Sequence, residues 1–225
     1  MSIELVVFDM AGTTVNDEDG VNLCLRAALE HVGVFASRDA VNAFMGIPKP
    51  LAIERLLEKH DRKDLLPKLE AIHDDFVRRM IHFYRTDPSV REIEGTSATF
   101  RRLRSAGIKV ALDTGFSREI VEVLLERLGW RDDSLVQTSV TSDEVQRGRP
   151  HPDLVQKAMR DLGVSDAARV AKVGDTPSDL QEGDAAGCGM VIGVTGGSHT
   201  AEQLEPFPHT HLIATVAELP ALLGL

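Results

Sequence analysis

Val6-Val7-Phe8-Asp9-Met10-Ala11-Gly12-Thr13-Thr14 is the stretch on which the reading of this chain turns. Its apolar start reads as a buried strand, and Asp9 follows at the carboxyl end, with Gly12-Thr13 turning the chain away. In open α/β sheets, ligands gather outside the carboxyl ends of the strands. A carboxylate placed there can cap the turn, but it can also attack phosphorus and form an acyl-phosphate. Two residues further on, where a second carboxylate could protonate a leaving oxygen, the chain has Ala11.

Working outward, short apolar runs at 4–8, 109–112, 169–173 and 190–194 alternate with amphipathic segments. This predicts an α/β fold, a Rossmann-like and mostly parallel sheet with helices on both faces. Residues 211–214 add an edge strand and 216–223 a closing helix. From 16 to 90 the rhythm breaks, and helical patterns at 21–31, 50–60 and 67–84 follow one another without a strand. The expected division is therefore a core of 1–15 and 91–225 with an all-helical cap, 16–90, inserted after the first strand. Thr86-Asp87-Pro88-Ser89 supplies the return turn, because the residue before a proline is pushed out of the helical region.

At 225 residues the chain can bury one full α/β core and a smaller insert. Its formal net charge of -10 disfavours nonspecific nucleic-acid binding, and the cluster Arg101-Arg102-Leu103-Arg104 fits the solvated face of a helix. No apolar run reaches the roughly 18 residues of a membrane span, and the first strand begins without a signal-peptide pattern, so a cytoplasmic protein is expected. Cys24 and Cys188 lie far apart in apolar or glycine-rich surroundings and read as small core residues rather than a disulfide or thiolate metal site.

Four further segments carry chemistry. Val173-Gly174-Asp175-Thr176-Pro177-Ser178-Asp179 places two carboxylates four residues apart at a strand-to-helix turn. Hard oxygen ligands of this kind suit Mg²⁺, and the same pattern can also N-cap a helix. A cation is needed because the charge of Asp9 repels a phosphoryl dianion. In Ala111-Leu112-Asp113-Thr114-Gly115-Phe116, a hydroxyl and backbone N–H groups after a strand can hold phosphoryl oxygens, while Asp113 has no assigned role. Gly148-Arg149-Pro150 offers a permanently charged planar fork that suits a carboxylate and a phosphonate together. Lys49, between Pro48 and Pro50, opens a helical pattern whose positive end lowers an ammonium pKa, and a neutral amine can attack an aldehyde.

Asp9 with Ala11, Met45-Gly46-Ile47-Pro48-Lys49, Thr114-Gly115, Arg149 and the Asp175 motif together resemble the phosphonatase, or phosphonoacetaldehyde hydrolase, branch of the haloacid dehalogenase superfamily. The resemblance implies a Mg²⁺-dependent hydrolase that cleaves the C–P bond of phosphonoacetaldehyde or a related 2-oxoalkylphosphonate. It implies Asp9 as nucleophile, Lys49 as Schiff-base former and Arg149 as the cation orienting the nucleophile. Gly12, Thr13, Thr114, Gly115 and Met45 would then meet the substrate. Asp9, the carbonyl of Ala11 and Asp175 would hold the metal directly, with Asp179 acting beside them or through water. A carbon leaving group stabilised as an enamine needs no acid at position 11.

Phosphonatase carries a histidine three residues beyond its lysine, where this chain has Ala52. It also carries a cysteine just past a glycine after the first motif. Gly20-Val21 has none here, and Cys24 is offset. The cap is longer and more like that of phosphoglucomutase-type relatives. Relatives pair through the cap, so a homodimer is expected beside a small phosphonate or phosphate ligand. Two other readings stay open. One is a phosphatase or mutase acting on small phosphomonoesters, against which the missing acid counts by roughly 10²–10⁴ in rate. The other is a noncatalytic phospholigand-binding protein, which would bind without releasing phosphate. A dehalogenase would not need the acidic metal motif. His209 and His211, His73, His82 and Tyr84 are expected as structural, packing or surface residues, and Thr195-Gly196-Gly197-Ser198, which follows a strand and could approach a phosphate, as an ordinary loop.

Overall fold

The computed structural model describes residues 2–131 and 135–225. Its strands are β1 (Leu5–Phe8), β2 (Val15–Asn16), β3 (Arg91–Glu92), β4 (Lys109–Thr114), β5 (Thr138–Thr141), β6 (Val170–Gly174), β7 (Met190–Val194) and β8 (His211–Ile213). Six of them form one sheet in the order β5-β4-β1-β6-β7-β8, and every neighbouring pair is parallel. The expected α/β architecture is thus present. β1 lies between β4 and β6, with Val7 level with Ala111 on one side and Lys172 on the other.

Between β2 and β3 come α1 (Gly20–His31), α2 (Arg38–Asn42), α3 (Lys49–Lys59) and α4 (Leu69–Thr86). After β3 come α5 (Thr96–Ser105), α6 (Arg118–Arg127), α7 (Asp153–Asp161), α8 (Pro177–Ala185), α9 (Ala201–Leu204) and α10 (Leu219–Leu222). Successive side chains of β1 point to opposite faces of the sheet. Val6 and Phe8 join the core that includes Phe100 and Leu103 of α5, whereas Leu5 and Val7 pack with Leu154, Val155 and Ala158 of α7. Among the described residues no helix is long and apolar enough to cross a membrane. Cys24 and Cys188 are both free thiols.

Several element boundaries differ from the sequence reading. β5 was not anticipated, because Thr-Ser-Val-Thr carries little apolar signal and becomes a strand through its pairing with β4. The long helix starts at Leu69 rather than 67, since Pro67 belongs to a 3-10 turn over Lys63–Lys68. The closing helical pattern divides into a 3-10 turn, Val216–Glu218, and the short α10. β2 and β3 pair antiparallel, Val15 with Glu92, so a short two-stranded ribbon carries the chain out to the helical segment and back.

Candidate active site

Asp9 leaves β1 at the carboxyl edge of the sheet, and four further carboxylates converge there. Asp175 comes from the turn between β6 and α8, Asp179 and Glu182 from α8 itself, and Asp113 from β4. All five are buried, and so are two cations among them, Arg149 and Lys172. Burying a charge is costly unless it is paired, so the geometry of the pairs decides what each group can do.

Arg149 is the hub. Its Nη1 donates to Asp9 Oδ1 at 2.5 Å, its Nε to Glu182 Oε2 at 2.9 Å, and its Nη2 to the carbonyl and carboxylate of Asp113. Nη1 also stands 2.9 Å from Asp179 Oδ1. The planar fork thus holds the nucleophile candidate against three structural carboxylates, a task a lysine could not perform. Lys172 lies in the middle of β6 and points to the same face, where it pairs with Asp113, Asp179 and Glu182. The approach is possible because α8 lies close over β6 at Gly183, where a Cβ would come within 2.9 Å of the Cβ of Lys172. Asp113, without a role in the sequence reading, is therefore the shared acceptor of both buried cations.

Carboxylate oxygens of Asp9, Asp175 and Asp179 lie within 4.8 Å of one another. Burial pushes Asp9 up to about 7 against the pull of Arg149, and it also raises Asp175. Asp179 Oδ1 is buried and accepts no well-aligned hydrogen bond, although both cations stand near it. Mutual repulsion and an under-satisfied oxygen are what a hard cation relieves, so this group fits a metal ion. A second acidic group, Asp113, Asp179 and Glu182, has Arg149 and Lys172 between its members and is an ion-pair network. Asp179 also closes a capping box, accepting from the N–H and hydroxyl of Thr176, the N-cap of α8. The capping and metal readings of this residue are compatible.

The remaining residues fall into place unequally. One cavity of about 230 Å³ is lined by Asp9, Ala11, Gly12, Met45, Lys49, Thr114, Gly115 and Arg149. Thr13 is placed differently from the expectation of a substrate contact. Its hydroxyl donates to Asp175 Oδ1 at 3.0 Å and its N–H to the Met10 carbonyl, so it orients an acid. Gly12 has φ of +89° and passes Asp175 so closely that a Cβ would sit 2.3 Å from its carboxylate. Thr114 Oγ1 accepts from the N–H of Phe116. Thr195-Gly196-Gly197-Ser198 is more than a loop, since residues 196–198 line the cavity. Ser198 donates from its N–H and hydroxyl to Asp175 Oδ2 at 2.7 and 2.6 Å. His209 binds the carbonyl of Phe207 and stands 3.6 Å from Glu205, and His211 binds the hydroxyl of Thr210; neither lines the cavity.

Lys49 arrives from the helical segment. It is the first residue of α3, with Pro48 as N-cap and Pro50 behind it. The loop before it is wedged against the core at two places where side chains are missing. A Cβ on Gly115 would meet the Ile47 carbonyl at 2.8 Å, and one on Gly148 would meet Pro48 Cγ at 2.3 Å. Lys49 is 4% exposed, its Nζ is 5.6 Å from the centroid of the Phe116 ring, and it donates to the Ile47 carbonyl at 3.4 Å. Burial lowers its pKa to about 8, although Asp9 and Asp17 oppose the shift. The offset Cys24 is buried on α1, with its thiol pushed up to about 11, which leaves it a poor nucleophile.

The sequence reading missed Asp17, Phe116, Lys172, Glu182 and Ser198. Lys172 had a signal, since a lysine inside Val-Ala-Lys-Val-Gly must be buried and therefore paired. Asp17 had none beyond its acidity.

The chain is similar to several known proteins. A phosphonoacetaldehyde hydrolase from Bacillus cereus is 31% identical over 227 aligned positions, covering 94% of this chain and 84% of that protein. A solved phosphonoacetaldehyde hydrolase-like protein from Oleispira antarctica superposes with a TM-score of 0.89 at 20% identity, covering 100% of this chain and 92% of that one. CbbY from Rhodobacter sphaeroides, solved with phosphate, gives 0.83 at 23%, covering 99% and 100%. The two structures share the fold. With the haloacid dehalogenase-like hydrolase model matching residues 6–193 as well, the chain belongs to that family and is a hydrolase.

Proposed function

We propose that this enzyme cleaves the C–P bond of phosphonoacetaldehyde or a close 2-oxoalkylphosphonate. The observation that carries the reading is that a buried amine, Lys49, shares one cavity with the buried Asp9 while position 11 bears only a methyl group. A cavity of about 230 Å³ suits a small metabolite. Asp9, Asp175, Asp179 and the Ala11 carbonyl would hold Mg²⁺, whose chemistry is to offset the charge between the carboxylate and the phosphonate.

Lys49 as a free amine attacks the aldehyde carbon, and uptake of the proton it had given up, with loss of water, gives a protonated imine. The electron pair of the C–P bond moves toward the iminium nitrogen, giving an enamine, while the phosphoryl group passes to an oxygen of Asp9. Water then cleaves the aspartyl-phosphate. Protonation of the enamine carbon and hydrolysis of the imine release the aldehyde and return Lys49. Arg149 holds Asp9 in line throughout, and the wedged loop before α3 keeps Lys49 above it.

The test is phosphate release with Mg²⁺ from phosphonoacetaldehyde beside a panel of small phosphomonoesters. The phosphonate should be strongly preferred. Lys49→Arg should lower its turnover by at least roughly 10³-fold, because a guanidinium cannot form the imine. Preferred hydrolysis of the esters would overturn the reading and require a leaving-group acid from somewhere other than position 11. For assembly we propose pairing through the helical segment, supported by Leu23 at 51% and Phe35 at 75% exposure on α1 and the loop after it. Phe35→Glu should shift a dimer toward monomer in sedimentation, with the thermal midpoint nearly unchanged.

A further inference from the structure

Asp17 is a buried carboxylate without a paired cation, and it lines the cavity that holds Lys49. It is 8% exposed, and its charge forms no ion pair among the described residues. Its Oδ2 accepts from the hydroxyl of Tyr84 at 3.0 Å, and the Val21 N–H also donates to it. The Tyr84 ring meets Phe116 edge-on with centroids 6.1 Å apart, and the Lys49 ammonium stands over that same Phe116 ring. Asp17 and Lys49 are thus set around one aromatic pair. The groups acting most strongly on Asp17 are Tyr84, Asp175 and Asp19, none of them a cation, while Asp17 in turn acts on Lys49 and Cys24. Asp17 and Lys49 are not in direct contact but line the same cavity, and burial brings their proton affinities together, raising Asp17 to about 6 and lowering Lys49 to about 8.

We propose that Asp17 is the acid–base partner of Lys49 in imine formation, shuttling the proton between the amine and the departing carbonyl oxygen. This rests on the imine reading above. The Lys49 ammonium gives a proton to the Asp17 carboxylate, and the free amine forms the C–N bond as the carbonyl π pair moves to oxygen. Asp17 returns the proton to that oxygen and then removes one from the new ammonium. It finally gives that proton to the hydroxyl, which leaves as water while the nitrogen pair closes the C=N bond. The sum is ammonium plus aldehyde to iminium plus water, with the carboxylate regenerated and facing the iminium as its counter-ion. The Asp17 site also answers the position of Ala52, which offers no proton acceptor beside Lys49.

The experiment is borohydride trapping of the Lys49 adduct with phosphonoacetaldehyde, followed by intact mass, on the wild-type chain, Asp17→Asn and Asp17→Ser. Asn keeps an acceptor for Tyr84, and thermal melts show whether each variant is folded. The wild type should trap readily at pH 7 and both variants roughly 10²-fold more slowly. At pH 9 the variants should approach the wild-type rate, because Lys49 is then mostly unprotonated, and a merely structural defect would not recover in this way. Trapping by either folded variant at the wild-type rate at pH 7 would overturn the assignment. A wild-type chain that forms no adduct while releasing phosphate would instead overturn the imine reading, and the role of Asp17 with it.

Discussion

Asp9→Asn should lower phosphate release from phosphonates and esters alike by on the order of 10⁴-fold or more, since Asp9 is the carboxylate proposed to take the phosphoryl group and the neighbouring Asp175 and Asp179 are held by other groups. Thr13 and Ser198 occupy Asp175, and Arg149, Lys172 and Thr176 surround Asp179. The same variant should gain stability when a chelator is present. Burial raises the folded-state pKa of Asp9 from 3.8 to about 7, so the folded chain holds that proton more tightly than the unfolded one. The stabilisation is complete below about 4 and disappears as pH rises through about 7. Urea titrations of the chelated wild type should therefore show stability falling over this window, and Asp9→Asn should flatten the slope. An unchanged slope would mean that Asp9 is already ionised and satisfied in the free enzyme.

Arg149→Met should destabilise the fold by about 3–5 kcal/mol, because it strands buried carboxylates and leaves Lys172 as the sole cation among them. For a domain of this size that corresponds to a fall of roughly 10 °C in thermal midpoint. Activity should be lost as well, since Asp9 loses the partner that orients it. Arg149→Lys keeps the charge but cannot span four carboxylates, so it should recover part of the stability and little of the turnover. A Met variant melting within about 2 °C of wild type would show that the network relaxes by proton uptake, with Glu182 already pushed up to about 8 by burial.

The parallel sheet was legible because β1 and β7 are apolar throughout and β4 and β6 are mostly so, broken only by Lys109, Asp113, Thr114 and Lys172, and such runs follow from burial on both faces. β5 was illegible for the opposite reason, being polar and held by its neighbour. Asp9, Lys49, Arg149, Asp175 and Asp179 could each be named because turn chemistry surrounds them, with Gly-Thr, Pro-Lys-Pro, Gly-Arg-Pro or Asp-Thr-Pro marking the ends of elements. What no local pattern revealed was how Arg149 is spent. Its reading as a cation for a carboxylate and a phosphonate together came from its charge and planar fork, whereas its hydrogen bonds go to three acidic residues and its ion pair to a fourth, Asp179, up to 140 positions away in sequence. Asp17 was hidden in the same way. Acidic residues cluster at 17–19, and only the packing of α4 singles out one of them by bringing Tyr84 to it.

The two bare sockets at Gly115 and Gly148 decide who aims the amine. Lys49 belongs to the helical segment, but the loop that carries it seats against core positions that have no side chains to push it away. Transplanting residues 16–90 onto another core of this fold would therefore carry the lysine across without its alignment. On the imine reading proposed above, the recipient would use that lysine only if it offered the same two gaps.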